Sequence, residues 1–319
     1  MTMPPPTMVM TNGIPMAVHR AGTGPAVVLL HGFPELAYSW RHQIDALSQA
    51  GWTAIAPDQR GHGATGCHGD PSAYRMENLA RDIVGLLDGL HVERAIVVGH
   101  DFGGALAWTL ARLHPDRVAG VVSLNTPYTG RAARDLISTI LQYRGPENYM
   151  VRFQEPGVGE EVLGRDIEGM FRSLLRRPRR TLEAFRRECP QLQVLPVSLL
   201  TGEPEVMGEP FMTPEEARIY ADAFRKTGFT GALNWYRNLR RSWEDMAGQP
   251  ERVDVPALMI SAADDYFLPP ETTSGMEQFI PDLERALIAD CGHWAQNEQP
   301  EATNRLLLDW LERRMRPLF

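Results

Sequence analysis

At 319 residues, 43% hydrophobic and 23% charged, the chain can bury a substantial core, and one large domain carrying an insertion is expected. The formal net charge of −8 argues against a general affinity for nucleic acid or for an anionic membrane, since both need a basic face. Cys67, Cys189 and Cys291 lie far apart with no Cys-x-x-Cys pair, Met1 to Pro6 lacks a basic region followed by an apolar stretch, and no apolar run reaches about 18 residues; a disulfide framework, a cysteine zinc site, a signal peptide and a membrane span are therefore not expected, and a cytoplasmic location is.

In chain order, Met8 to Met10 and Met16 to His19 flank Thr11-Asn12-Gly13 and read as a hairpin supplying an antiparallel edge. Six further β-rich runs follow, Ala26 to His31, Thr53 to Pro57, Arg94 to Gly99, Val118 to Leu124, Ala257 to Ala262 and Arg285 to Ala289, alternating with longer helical patterns. This alternation predicts an α/β fold with a mostly parallel eight-stranded sheet covered by helices on both faces. Between Thr129 and Asp245 strand-like runs vanish, and Arg, Glu and Pro interrupt amphipathic stretches such as Arg165 to Arg176 and Pro214 to Thr227. The expected organisation is thus a core of 1–128 and 246–319 with a helical cap, 129–245, inserted between. Within the cap, Thr201 to Pro210 reads as a loop that orders against a pocket, and Arg172, Arg176, Arg177, Arg179 and Arg180 read as a solvated surface.

Gly99-His100-Asp101-Phe102-Gly103-Gly104, placed between an apolar strand and the helix Ala105 to Leu113, has the form of a nucleophile elbow with aspartate where serine is usual. The small residues at 99 and 103 permit a sharp turn, and the carboxylate of Asp101, beside N–H groups at a helix N-terminus, is expected to be ionised and exposed. A carboxylate attacking an acyl carbon gives a labile anhydride, whereas attack on saturated carbon gives an ordinary ester, so the residue type points to alkyl transfer followed by ester hydrolysis. In a parallel sheet the functional groups gather at the carboxyl ends of strands. There the chain offers the N–H groups of Phe33 and Phe102 as an oxyanion hole, Asp264 and Asp265, and Cys291-Gly292-His293-Trp294. The order Asp101, an acid near 265, then His293 follows the chain order of an α/β-hydrolase triad. His293 is read as the base that activates water, with Asp265 favoured over Asp264 as its orienting carboxylate. Phe33, Phe102 and Trp294 are read as substrate-contacting. His31, His42, His62, His68 and His114 show no metal-ligand spacing, no Gly-x-Gly-x-x-Gly or phosphate loop occurs, and neither metal nor cofactor is expected. Asp58 to Gly63 reads as a packing turn.

The leaving group decides the reaction. Opening a three-membered ether releases an alkoxide that needs a proton donor, whereas a halide departs with weak N–H donors around it. Tyr143, Tyr149, Tyr220 and Tyr236 of the cap could serve as neutral donors, and periodicity does not choose among them. Asn148-Tyr149-Met150-Val151-Arg152-Phe153-Gln154-Glu155-Pro156-Gly157 and Asn234-Trp235-Tyr236-Arg237-Asn238 resemble the two cap tyrosine motifs of α/β-hydrolase-fold epoxide hydrolases, especially the soluble type. His31 to Pro34, Gly99 to Gly104, Ala263 to Leu268 and Gly292 to Trp294 also resemble that family, and the similarity runs from about residue 8 to the C-terminus. The resemblance implies Tyr149 and Tyr236 as ring-opening donors, Asp265 as the triad acid and a cis peptide before Pro34. The expected function is conversion of a small-molecule epoxide plus water to a vicinal diol through an Asp101 hydroxyalkyl ester, with a homodimer left open. One departure is Phe102, where family members often carry Trp. It also weakens the alternative reading, a haloalkane or haloacid dehalogenase on the same triad, because haloalkane dehalogenases hold the halide with an indole N–H there and fluoroacetate dehalogenases tend to carry Arg. A non-enzymatic receptor or scaffold on this fold is the remaining alternative, and it would normally lack part of the triad.

Overall fold

Apolar runs without polar alternation suit strands covered on both faces, and in the computed structural model, which describes residues 3–67, 69–202 and 204–319, every residue of Ala26–Leu30 and Ala95–His100 is buried. Eight strands form one sheet: β1 (Thr7–Thr11), β2 (Ile14–Ala21), β3 (Ala26–Leu30), β4 (Thr53–Pro57), β5 (Ala95–His100), β6 (Val118–Leu124), β7 (Ala257–Ala262) and β8 (Leu283–Ile288). Their spatial order is β1-β2-β4-β3-β5-β6-β7-β8. The hairpin β1–β2 turns through Asn12 and Gly13, both at positive φ, and pairs antiparallel to β4; β4-β3-β5-β6-β7-β8 are parallel throughout. The eight-stranded, mostly parallel α/β architecture expected from the sequence is the one observed. β8 begins two residues earlier than its sequence suggests, because Leu283 and Glu284 pair with Ala257 and Leu258; an edge strand carrying Glu284 and Arg285 gives only a weak apolar signal.

Successive side chains of a strand point to opposite faces. Val28 and Leu30 therefore join a core with Leu79, Ile83 and Leu86 of helix Met76–Gly89 and Leu106 and Leu110 of helix Phe102–Leu113. Val27 and Leu29 join a second core with Ile44 and Leu47 of helix Arg41–Gln49 and Leu307 and Trp310 of helix Pro300–Trp310. The turn after β4 packs as read: Asp58 accepts the N–H groups of Ala37 (2.9 Å) and Ala64 (2.8 Å), and Arg60 pairs bidentately with the buried Asp82.

Residues 129–245 add no strand to this sheet. They form helices between β6 and β7, among them Ile167–Leu174 and Pro214–Thr227. The second starts where Pro214 follows a Thr213–Glu216 capping box, with both reciprocal bonds made (3.2 and 2.9 Å), and stops at Gly228. Strand structure is not wholly absent there, since Arg176–Arg177 pair antiparallel with Glu209–Pro210, fastened by Arg176 Nε to Gly208 O (2.8 Å). The piece read as a loop over 201–210 accordingly contributes a turn of helix, Pro204–Met207, and this ladder. Arg172, Arg179 and Arg180 sit on surface carboxylates. Three buried bonds seat the insertion on the core at the carboxyl ends of the strands: Trp235 Nε1 to Arg60 O (2.9 Å), Tyr220 Oη with Ser39 Oγ (2.8 Å) and Trp294 Nε1 to Leu174 O (3.0 Å). Among the described residues no helix is long and apolar enough to cross a membrane.

Backbone proximity at the end of β3 carries a prediction. A Cβ at Gly103 would stand 2.0 Å from Leu30 O and 2.6 Å from His31 O, so Gly103→Ala must push helix and strand apart. We expect a loss of about 3 kcal/mol, read as a lower midpoint of thermal unfolding; an unchanged midpoint would contradict the close approach.

Candidate active site

β5 ends at His100 and the next helix begins at Phe102, which leaves Asp101 alone at the corner with φ 53° and ψ −122°. A non-glycine residue there costs roughly 1–3 kcal/mol. Thr126 Oγ1 (2.8 Å) and the Gly104 N–H (3.0 Å) both donate to its carbonyl and hold it in place. Its carboxylate is not as open as the elbow alone suggests, being 18% exposed in a cavity shared with Tyr149 and Tyr236 of the insertion. The two oxygens are inequivalent. Oδ1 accepts the Phe33 N–H at 2.8 Å, following the cis Phe33–Pro34 turn after β3, while Oδ2 lies 3.9 Å from His293 Nε2.

His293 follows β8, and its Nδ1 meets Oδ2 of the wholly buried Asp265 after β7 at 2.8 Å. The other oxygen of Asp265 accepts the N–H groups of Phe267 (2.8 Å) and Leu268 (2.9 Å). Burial alone would push this carboxyl up; the charge and hydrogen bond of His293 and the two N–H donors prevail and hold it below its ordinary value. A proton is thus fixed on Nδ1, and Nε2 is the basic face toward Asp101. Asp264 points elsewhere, accepting the Leu182 N–H at 2.8 Å. The structure brings Asp101, His293 and Asp265 together and leaves Asp264 outside.

A second buried pair lies behind the histidine. The His293 carbonyl accepts from His100 Nε2 (2.7 Å) and Asn125 Nδ2 (2.8 Å), and His100 Nδ1 meets Glu35 Oε2 at 2.7 Å. Burial opposes charge on both members, yet their mutual attraction wins, pushing the Glu35 carboxyl down to about 2 and raising His100. The sequence held a signal for them, since Glu35 directly follows His31 to Pro34 and His100 directly precedes Asp101.

Of the four tyrosines left open by spacing, Tyr143 is 77% exposed and Tyr220 spends its hydroxyl on Ser39. Tyr149 starts the short helix Tyr149–Arg152 and Tyr236 lies on helix Thr230–Arg237; both are buried, with ring centroids 5.8 Å apart, and both line the cavity. Gln154 Nε2 bridges Met150 O (2.9 Å) and Tyr236 O (3.0 Å), which ties the two helices together. Burial first, and then the neighbouring Asp101 for Tyr149 and Tyr149 for Tyr236, push both phenols above their ordinary value, so both are neutral donors at pH 7. Phe33, Trp294, Leu174, Leu200 and Phe267 complete the apolar part of the cavity wall. Leu174 and Leu200 have nothing in the sequence that distinguishes them from other core residues, and Phe267 is marked only by lying within Ala263 to Leu268. Phe102 does not line this space; its ring packs edge-on against Tyr236, centroids 4.7 Å apart.

Two of the other histidines bond to backbone atoms. His31 Nε2 accepts the Gln59 N–H (3.0 Å) and His62 Nδ1 lies 3.3 Å from Arg60 O; His68 lies outside the described residues. Among the described residues no cluster of three His, Cys, Asp or Glu is placed to hold a metal.

Residues 25–300 match the α/β hydrolase fold family. Epoxide hydrolase A of Mycobacterium tuberculosis is 40% identical over 320 residues, with 97% of each chain covered. Bifunctional epoxide hydrolase 2 of Sus scrofa is 38% identical over 305 residues, 94% of this chain and 54% of the relative, so the chain spans about half the length of such mammalian relatives. The crystal structure of epoxide hydrolase A from Mycobacterium thermoresistibile superposes with a TM-score of 0.84 at 36% identity, over 97% of this chain and 98% of that one.

Proposed function

This chain belongs to the epoxide hydrolases of the α/β-hydrolase fold family, and from that premise we propose that it converts an uncharged, largely apolar epoxide and water to a vicinal diol through an ester on Asp101. Residues 129–245 act as a cap over a core made of 1–128 and 246–319. Tyr149 and Tyr236 donate to the ring oxygen while Asp101 Oδ2 attacks a ring carbon. The C–O bond breaks, a new C–Oδ2 bond forms, and the alkoxide takes a tyrosine proton. Oδ1, already on the Phe33 N–H, becomes the ester carbonyl oxygen, with the Phe102 N–H at the helix start as the second donor. His293 Nε2 then removes a proton from water attacking Cγ, Asp265 stabilises the imidazolium, and collapse breaks the Cγ–Oδ2 bond as the imidazolium returns that proton to the departing oxygen; the diol leaves, and the re-formed Asp101 carboxyl gives its proton back to the tyrosinate.

The observation that carries this reading is one cavity lined by Asp101, His293 and two neutral phenol donors, with Asp265 held behind the imidazole. Release of halide is supported less well. Position 102 is Phe, and the indole N–H groups of the nearby Trp235 and Trp294 are already bonded to Arg60 O and Leu174 O.

The test is a single turnover of styrene oxide with excess protein in heavy-oxygen water. Attack at Cγ leaves solvent oxygen on Asp101 and sends an original Asp101 oxygen out with the diol. Label in the first-formed diol instead, with none in the Asp101 peptide, would overturn the ester route.

A further inference from the structure

Glu298 takes no part in the chemistry above, yet it is a carboxylate sequestered beside it, the residue being 7% exposed. It ends the short helix Ala295–Glu298, and the side chain folds back so that Oε2 accepts the N–H of Gly292 (2.6 Å) and Oε1 the N–H of Trp294 (2.8 Å). These are the residues on either side of His293. We propose that Glu298 is a positioning residue for His293, a clamp on the backbone at both flanks that keeps Nε2 aimed at Asp101 for ester hydrolysis; this rests on the reading of the site given above.

The argument is one of degrees of freedom. Asp265 fixes one ring atom, and His100 and Asn125 fix the carbonyl, but none of them holds the chain before His293. Among the described residues Glu298 alone ties both flanks, and only a carboxylate can, since it offers two acceptor oxygens and no donor. An amide would put its NH₂ against one of the two N–H groups. The aim matters because Nε2, which stands 3.9 Å from Asp101 Oδ2, must come within about 3 Å of the oxygen of the water that attacks Asp101 Cγ. Keeping an anion here is costly. Burial pushes the Glu298 carboxyl up to about 7, opposed by the two N–H donors, with Asp265 adding to the rise and His293 opposing it. A buried charge of this kind is a poor device for stability alone.

Glu298→Gln separates the two half-reactions. With styrene oxide and rapid-quench mass spectrometry of the Asp101 peptide, ester formation is expected within about twofold of the parent and ester hydrolysis slowed about 10- to 100-fold, so that ester is visible at steady state. Glu298→Asp, which keeps the charge with a shorter reach, is expected to fall between, and it decides the question by the same two rates should the amide variant not fold. A lower unfolding midpoint with both rates unchanged, or both reduced alike, would show a merely structural role and overturn the inference. His293→Gln run in parallel keeps the two ideas apart. Ester in that variant but not in the Glu298 variants sinks the clamp alone, whereas no ester in His293→Gln sinks the functional reading beneath it.

Discussion

His293→Gln is expected to halt diol formation while leaving the first half-reaction intact, so that the protein gains the mass of one substrate molecule on Asp101. The nucleophile does not rely on the imidazole for its placement: Oδ1 is held by the Phe33 N–H at 2.8 Å, and Nε2 is 3.9 Å from the other oxygen, beyond a hydrogen bond. Ring opening should therefore proceed. Hydrolysis loses its general base, which is worth about 10²- to 10⁴-fold, and the ester carbonyl left in the N–H pair remains stable enough to be isolated. Glutamine occupies a similar volume and can keep one bond to Asp265, which limits any loss of fold. Intact mass spectrometry after mixing with styrene oxide, followed by peptide mapping, makes the measurement. A variant that opens the epoxide without any adduct would show that water attacks the ring directly.

The fold was legible because the sheet is buried on both faces. Runs such as Ala26 to Leu30 have one physical reason to be apolar throughout, and the Asn12-Gly13 turn specifies the hairpin outright. The short ladder at Arg176–Arg177 was not legible, since two charged residues pair there through tertiary placement rather than pattern. At the site, strand ends pointed to Asp101, Phe33, His293 and the 264–265 pair, and the structure gathers Asp101, His293 and Asp265 at one place. Asp264 and Asp265 differ only in which way adjacent side chains leave the backbone, and that direction comes from the N–H donors of Phe267, Leu268 and Leu182. The two tyrosines needed family resemblance, because their selection depends on how the insertion folds over the core. Leu174 and Leu200 had no signal for the same reason. Glu35 and His100 stand next to motif residues, whereas Glu298 acts on His293 through its backbone, and a sequence does not display which N–H groups a carboxylate will find.

The double change Tyr149→Phe, Tyr236→Phe is expected to slow ring opening by about 10³-fold or more, with each single change costing less because the other hydroxyl can still donate. The alkoxide formed as the ring opens is strongly basic, and among the described residues the cavity offers it no other neutral O–H donor: besides Asp101 and His293 its walls are Phe33, Leu174, Leu200, Phe267 and Trp294, and the Trp294 N–H is bonded to Leu174 O. Phenylalanine keeps the ring contacts that Tyr236 makes with Phe33 (centroids 5.0 Å) and Phe102, so the cavity should stand. Both phenols are pushed above the ordinary value near 10, Tyr149 by burial and then the Asp101 charge, Tyr236 by burial and then Tyr149. The neutral, donating form therefore persists to higher pH than in a free phenol, and ring opening by the unaltered protein should show no fall on the way to about pH 10. Stopped-flow or rapid-quench rates of Asp101 ester formation from styrene oxide check both statements. A double variant that still forms the ester at close to the parent rate would mean that the leaving oxygen needs no proton from the cap. A leaving group of that kind, such as halide, would then become the better account of the same Asp101, His293 and Asp265.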